Sequence, residues 1–246
     1  LFIPWQAGAA TLYTREHFAT VRDRLAPGGL FAQWLPLYQL SRDEFLVIAR
    51  TMLEIFPQVT LWRGDFLADR PIVALVGHPV PTALDPHAMV ENFRRRGGAA
   101  TPAEHALALT GLFYAGNLSA NRALFADHLV NTDDRPLLEF SSPITQREQG
   151  ANAATWFVGA ELERFLIALA EHLPADADPY LARLDPSARR AVGAGRALFR
   201  AKVAQAEGRD EDARRFADEF TAAVPRDVHR LFAEREAAAR RTARTQ

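Results

Sequence analysis

The chain has 246 residues, enough for one large domain or two small ones, and its 48% apolar and 24% charged content is ordinary for a globular protein. Its formal net charge of −1 supplies no overall field favouring nucleic acid or an anionic membrane, so no nucleic-acid partner is expected. The absence of cysteine excludes disulfides, thiolate zinc sites, iron–sulfur clusters and a cysteine nucleophile, and it fits the reducing, cytoplasmic location expected for this segment.

The chain opens on the apolar run Leu1-Phe2-Ile3-Pro4-Trp5, which reads as the end of a buried strand and suggests an excised segment. Thr14 is placed to cap a helix carrying Phe18, Val21 and Leu25 on one face, stopped by Pro27-Gly28-Gly29, where Gly28 suits a left-handed backbone position. Residues 30–35 are short, apolar and bounded by glycine and proline, the pattern of a strand buried on both faces. Ser41-Arg42-Asp43-Glu44 forms a capping box ahead of a helix burying Phe45, Ile48, Ala49, Met52 and Phe56. Strands follow over 59–63 and 71–76, and the short linker 64–70 predicts that they pair antiparallel. The expectation is an α/β domain over 1–77: a parallel sheet with covering helices and an antiparallel edge.

Residues 78–150 read as a helical extension. Asp85-Pro86 is a cap followed by proline at the first helical position, and Thr101-Pro102-Ala103-Glu104 has the spacing of a second capping box. The polar run 131–136 breaks the helices, and Leu137-Leu138-Glu139-Phe140 reads as a short extended piece. Residues 151–246 form an α-helical tail in which 197–206, Gly208, 212–224 and Pro225 resemble one tetratricopeptide-like hairpin.

Catalytic signatures of the familiar kinds are missing. No glycine-lysine phosphate loop or nucleophile elbow occurs, Gly193-Ala194-Gly195 lies within a helical pattern, and no histidine pair has helical metal-ligand spacing, so no metal site is expected. Ligands of open α/β sheets bind at the carboxyl ends of the strands. The segments expected at that edge are rich in rings, carboxamides and carboxylates: Trp5 and Gln6; Gln33, Trp34, Tyr38 and Gln39; and Asp65, Phe66 and Asp69 beside Trp62 and Arg63. Such a set suits an amine-bearing or adenine-bearing ligand, and it equally serves to cover a sheet edge.

Five motifs go further: Leu1-Phe2-Ile3-Pro4-Trp5-Gln6-Ala7-Gly8, Leu12-Tyr13-Thr14-Arg15-Glu16-His17-Phe18, Leu25-Ala26-Pro27-Gly28-Gly29, Gln33-Trp34-Leu35-Pro36-Leu37-Tyr38-Gln39-Leu40 and Leu61-Trp62-Arg63-Gly64-Asp65-Phe66. Through them residues 1–77 resemble the C-terminal half of the spermidine synthase-like (polyamine aminopropyltransferase) domain, closest to the bacterial proteins in which that domain is fused to a transporter-like region. The resemblance implies a class I methyltransferase-like (Rossmann-like) fold and transfer of an aminopropyl group from decarboxylated S-adenosylmethionine to a small amine. It implies that the cofactor-binding loop and a catalytic acidic residue lie upstream of Leu1, so that this segment holds no cofactor itself. A membrane region in the parent protein is implied as well. The family's loop has a second aspartate before a proline, where this chain has Ile3 before Pro4. Tyr13 matches an aromatic position of the family and Gln33 lies on the strand of its diamine-binding glutamine. Tyr13, Gln33, Trp34 and Asp65 are the expected substrate-binding residues. The alternatives are an S-adenosylmethionine-dependent methyltransferase-fold protein with another acceptor, and a non-catalytic sensing or scaffold domain whose helical tail contacts a protein partner.

Overall fold

The computed structural model describes residues 5–98, 101–151 and 156–234; the strand end expected at Leu1–Trp5 lies almost wholly outside them. The structure is mixed α/β, with more helix than strand and a small four-stranded sheet. The chain divides into two compact units, Leu1–Thr82 with Ala115–Pro174 and Ala83–Tyr114 with Ala175–Gln246.

In the first unit Thr14 caps α1 (Arg15–Arg24), its side chain accepting from the His17 N–H at 3.2 Å, and Phe18 is fully buried. The chain then turns through Pro27-Gly28, with Gly28 at φ 74° and the Gly29 N–H donating to the Ala26 carbonyl at 2.8 Å. Positive φ is what glycine permits without a Cβ clash. Strand β1 (Phe31–Pro36) leads into α2 (Arg42–Ile55), whose capping box is complete: the Glu44 N–H donates to Ser41 Oγ at 3.3 Å and the Ser41 N–H to Glu44 Oε2 at 2.8 Å. All five residues expected on the inner face of this helix are fully buried.

Strands β2 (Gln58–Arg63) and β3 (Ile72–His78) pair antiparallel, as the short linker requires. The expected parallel neighbours are not found: β1 also pairs antiparallel with β3, from Phe31↔Gly77 to Pro36↔Ile72. The described order is β1-β3-β2-β4, with β4 at Tyr114–Asn117. Strands β1 and β2 therefore run in the same direction, joined across α2, with β3 reversed between them. Glycine 77 permits the close packing of α2, since a Cβ there would come within 2.6 Å of the Phe56 ring and 2.8 Å of Met52 Cε.

Strand β1 also departs from two-sided burial: Gln33 and Leu35 are buried, whereas Ala32 is exposed and Trp34 is 45% exposed. It is the terminal strand of the described sheet, and α2 covers one of its faces. Leu137-Leu138-Glu139-Phe140 is not extended but opens α5 (Leu137–Gly150), with Glu139 in the first turn, where a carboxylate suits the helix dipole. A further helix, α6 (Gly159–His172), packs Phe165 among Phe45, Phe125 and Phe157, with ring centroids 5.5, 6.4 and 5.5 Å away.

The second unit is helical. Asp85 caps α3 (Pro86–Phe93), accepting from the His87 and Ala88 N–H groups at 2.9 and 3.1 Å. The expected box at Thr101–Glu104 does not form: Pro102, in an extended conformation, takes the cap position of α4 (Ala103–Phe113), which leaves Thr101 one residue too far out. Asp185 caps the long α7 (Pro186–Ala206), and Gly208 at φ 73° turns the chain into α8 (Asp210–Ala223). This is the expected hairpin, closed by Ala201, Ala204 and Phe216, with the Arg200 guanidinium 3.8 Å from the centre of the Phe216 ring.

Helices α4 and α7 cross at a glycine. A Cβ on Gly195 would lie 2.0 Å from the Leu112 carbonyl oxygen, whereas one on Gly193 would meet nothing within 4 Å. Gly195→Ala is expected to cost about 2–3 kcal/mol through overpacking. Gly193→Ala is expected to add about 0.5–1 kcal/mol, because alanine is the better helix former. Thermal unfolding followed by circular dichroism measures both, and equal effects would show that the crossing is not close-packed.

Candidate functional site

Because β1 and β2 both oppose β3, their carboxyl ends emerge on one edge of the sheet. Beyond β1 lie Leu37, Tyr38 and Gln39 in a single 3₁₀ turn, and beyond β2 lie Gly64 and Asp65. Two backbone bonds fasten the edge: the Leu37 N–H donates to the Pro71 carbonyl at 3.0 Å and the Gly64 N–H to the Ile72 carbonyl at 2.7 Å.

Side-chain alternation places Trp34, Ala74 and Trp62 in one cross-strand row and Gln33, Leu75 and Leu61 in a row on the opposite face. The Trp34 ring reaches across small residues: a Cβ on Gly64 would be 2.8 Å from Trp34 Cζ3. The ring thus lies against the residue preceding Asp65. Asp65 is half-buried, and its Oδ1 accepts the Leu67 N–H at 3.1 Å, a short turn that fixes the carboxylate at the strand end. Arg70 stacks its guanidinium 5.2 Å from the centre of the Tyr38 ring. Among the described residues, the buried Gln39 Oε1 has no hydrogen-bond partner.

The four expected site residues therefore separate. Trp34 lies against Gly64 at the edge, and Asp65 is the next residue along the chain. Gln33 is 6% exposed on the face covered by α2, its amide donating to the Trp34 carbonyl at 3.3 Å. Tyr13 is fully buried at the end of the 3₁₀ turn Ala9–Tyr13, and burial pushes its phenol pKa up to about 12. A neutral, buried phenol is a packing group with a hydroxyl, not a proton acceptor for a substrate at neutral pH.

Comparison with known proteins adds no family. The chain matches no family model, no curated protein and no solved structure. Among the described residues no group of three or more histidine or carboxylate side chains could hold a metal ion, and no helix is long and apolar enough to cross a membrane.

Behind the edge a buried polar chain crosses β2 and β3. Trp62 Nε1 donates to Thr60 Oγ1 at 2.9 Å, and Thr60 Oγ1 lies 3.2 Å from His78 Nε2. His78 is 1% exposed, and burial lowers its pKa to about 4. The neutral ring holds the Thr60 hydroxyl in place, which in turn fixes the Trp62 indole on the Trp34 side of the sheet. Sequence reasoning found the tryptophan and missed its support, because nothing local marks Thr60 or His78. Strand alternation was the available signal: with the register known, residues 60, 62 and 78 fall on one face.

Proposed function

We propose that this chain forms the acceptor-side part of a spermidine synthase-like aminopropyltransferase, carrying the wall against which a small amine is held. The observation that carries the reading is the crossover β1–α2–β2 with β3 reversed between its strands, which sets a part-exposed Trp34 ring against Gly64, the residue before Asp65, at the strand-carboxyl edge. The five sequence motifs support the reading independently, and ligand sites of open α/β sheets lie at the carboxyl ends of their strands.

In this reading the two residues divide the work. The open face of Trp34 receives a protonated amine through a cation–π contact, and Asp65 pairs with an ammonium group. Gln33 supports the strand from the buried side, its amide donating to the Trp34 carbonyl. In aminopropyl transfer the attacking nitrogen must first lose a proton to become a nucleophile. Its lone pair then forms the new C–N bond at the propyl carbon attached to the sulfonium sulfur of decarboxylated S-adenosylmethionine. The C–S bond breaks, its electron pair stays on sulfur, and methylthioadenosine leaves.

The test has a binding arm and a turnover arm. Putrescine should quench tryptophan fluorescence, and Trp34→Ala and Asp65→Asn should each weaken that binding about ten-fold, the size of one charge-assisted contact. With decarboxylated S-adenosylmethionine and putrescine supplied to the complete protein, methylthioadenosine and spermidine should appear together by mass spectrometry. Methyl transfer from S-adenosylmethionine in their place would establish a methyltransferase with another acceptor. Absence of both binding and transfer would establish a non-catalytic domain.

A further inference from the structure

A cleft of the first unit lies between α2, α6 and the 3₁₀ segment Ser119–Phe125. Its volume is about 360 Å³, within the range of small-molecule sites. Arg42 stands on the first turn of α2 and Leu46 one turn further on. Glu161, Arg164, Phe165 and Ala168 follow one another along a single face of α6, at the helical spacing of neighbours. Leu124, 42% exposed, closes the third side.

The cleft has an ordered division of chemistry. Its floor is apolar and rigid: Leu46 is 1% exposed, Phe165 is 7% exposed, and three rings of the core fix the Phe165 plane. Its rim carries two guanidinium groups and one carboxylate. Glu161 and Arg164 stand three residues apart, the spacing at which Arg94 pairs with Glu91, at 3.1 Å, in this same chain. Yet among the described residues neither they nor Arg42 enters an ion pair. The three charged side chains thus line the cleft without neutralising one another.

We propose that this cleft binds a small zwitterion with an apolar side chain, an amino acid of the phenylalanine or leucine kind. Arg42 and Arg164 receive its carboxylate, Glu161 receives its ammonium group, and the side chain lies over Leu46, Phe165 and Leu124. A simple anion would face the Glu161 carboxylate, and a simple amine would face two arginines; only a ligand carrying both charges complements all three. The pocket is independent of the sheet-edge reading, since it uses neither Trp34 nor Asp65.

Titration calorimetry of the full chain with L-phenylalanine tests the proposal. Binding is expected, with at least ten-fold weaker binding of 3-phenylpropanoate, which lacks the ammonium group, and of phenethylamine, which lacks the carboxylate. Arg42→Ala, Arg164→Ala and Glu161→Gln are each expected to weaken phenylalanine at least ten-fold. All three residues lie at the rim, so circular dichroism should show these variants folded. Absence of heat with millimolar phenylalanine, equal binding of 3-phenylpropanoate, or unchanged binding by the folded variants would each overturn it.

Discussion

Replacing Asn131 with leucine should destabilise the first unit by about 4 kcal/mol, the sum of three buried backbone groups left without partners at about 1–3 kcal/mol each. Asn131 is fully buried. Its amide nitrogen donates to the Tyr13 and Ala10 carbonyls at 3.2 and 3.4 Å, and its Oδ1 accepts the Leu138 N–H at 3.3 Å. Its backbone adds an N–H donated to Thr51 Oγ1 at 2.9 Å and a carbonyl that accepts the Arg15 N–H at 2.9 Å. One residue thereby ties the segment before α1, the middle of α2 and the start of α5. Leucine keeps the volume and removes every side-chain bond. Asn131→Asp sharpens the test, because an ionised carboxylate would present an anionic oxygen to two carbonyls in place of a donor. Its loss should equal or exceed that of leucine at pH 7 and shrink in acid, where a protonated carboxyl can donate one bond. Urea denaturation followed by tryptophan fluorescence is the measurement. All four tryptophans, Trp5, Trp34, Trp62 and Trp156, belong to the first unit, so the signal reports that unit alone. A loss below about 1 kcal/mol would mean that the freed backbone groups find other partners.

Asn131 also shows where sequence reasoning stops. The run Asn131-Thr132-Asp133-Asp134-Arg135-Pro136 reads as a surface breaker, and Asp133, Asp134 and Arg135 are indeed exposed. The burial of its first residue depends on carbonyls 118 and 121 positions away, which no window of neighbours contains. Local signals fared differently. The cap at Thr14, the box at Ser41, the Asp–Pro starts at 85 and 185, and the apolar period of α2 were all legible, because each depends on residues within one or two turns. Strand neighbours were not. The apolar run before Pro36 could belong to a central strand or to an edge, and only the position of β3 decided between them. The four residues of β4 were lost inside a helical reading for the same reason, since their partner is β2. At the candidate site, Trp34 and Asp65 are legible as edge residues because one stands near the end of β1 and the other just past the end of β2. Gln33 cannot share a face with Trp34, because adjacent strand residues point to opposite sides of the sheet.

Acidification from pH 6.5 to pH 4 should remove about 3 kcal/mol from the first unit through His78 alone, at about 1.4 kcal/mol for each pKa unit. Burial lowers the His78 pKa from 6.5 to about 4. Between those values the unfolded chain binds a proton that the folded chain refuses, so stability is fully present above pH 6.5 and falls as the pH drops toward 4. The hydrogen-bond order gives the cause a structural form. Trp62 donates to Thr60 Oγ1. With that lone pair engaged, the Thr60 hydroxyl can donate to an unprotonated His78 Nε2, 3.2 Å away. Protonation of the ring places a charge in a site from which burial excludes water. His17, also held below its usual range by burial, contributes in the same direction, so the decisive quantity is a difference between proteins. His78→Gln should be less stable than the parent at pH 7 and should lose less stability on going to pH 4.5, bringing the two denaturation curves together. Parallel losses in both proteins would show that the acid sensitivity comes from other groups. Because Trp62 is the far end of the chain of bonds, its emission should shift in the parent as His78 protonates, before the global transition. That would join the stability of the sheet to the geometry of the edge: the same protonation that weakens the fold would release the indole that stands in one row with Trp34.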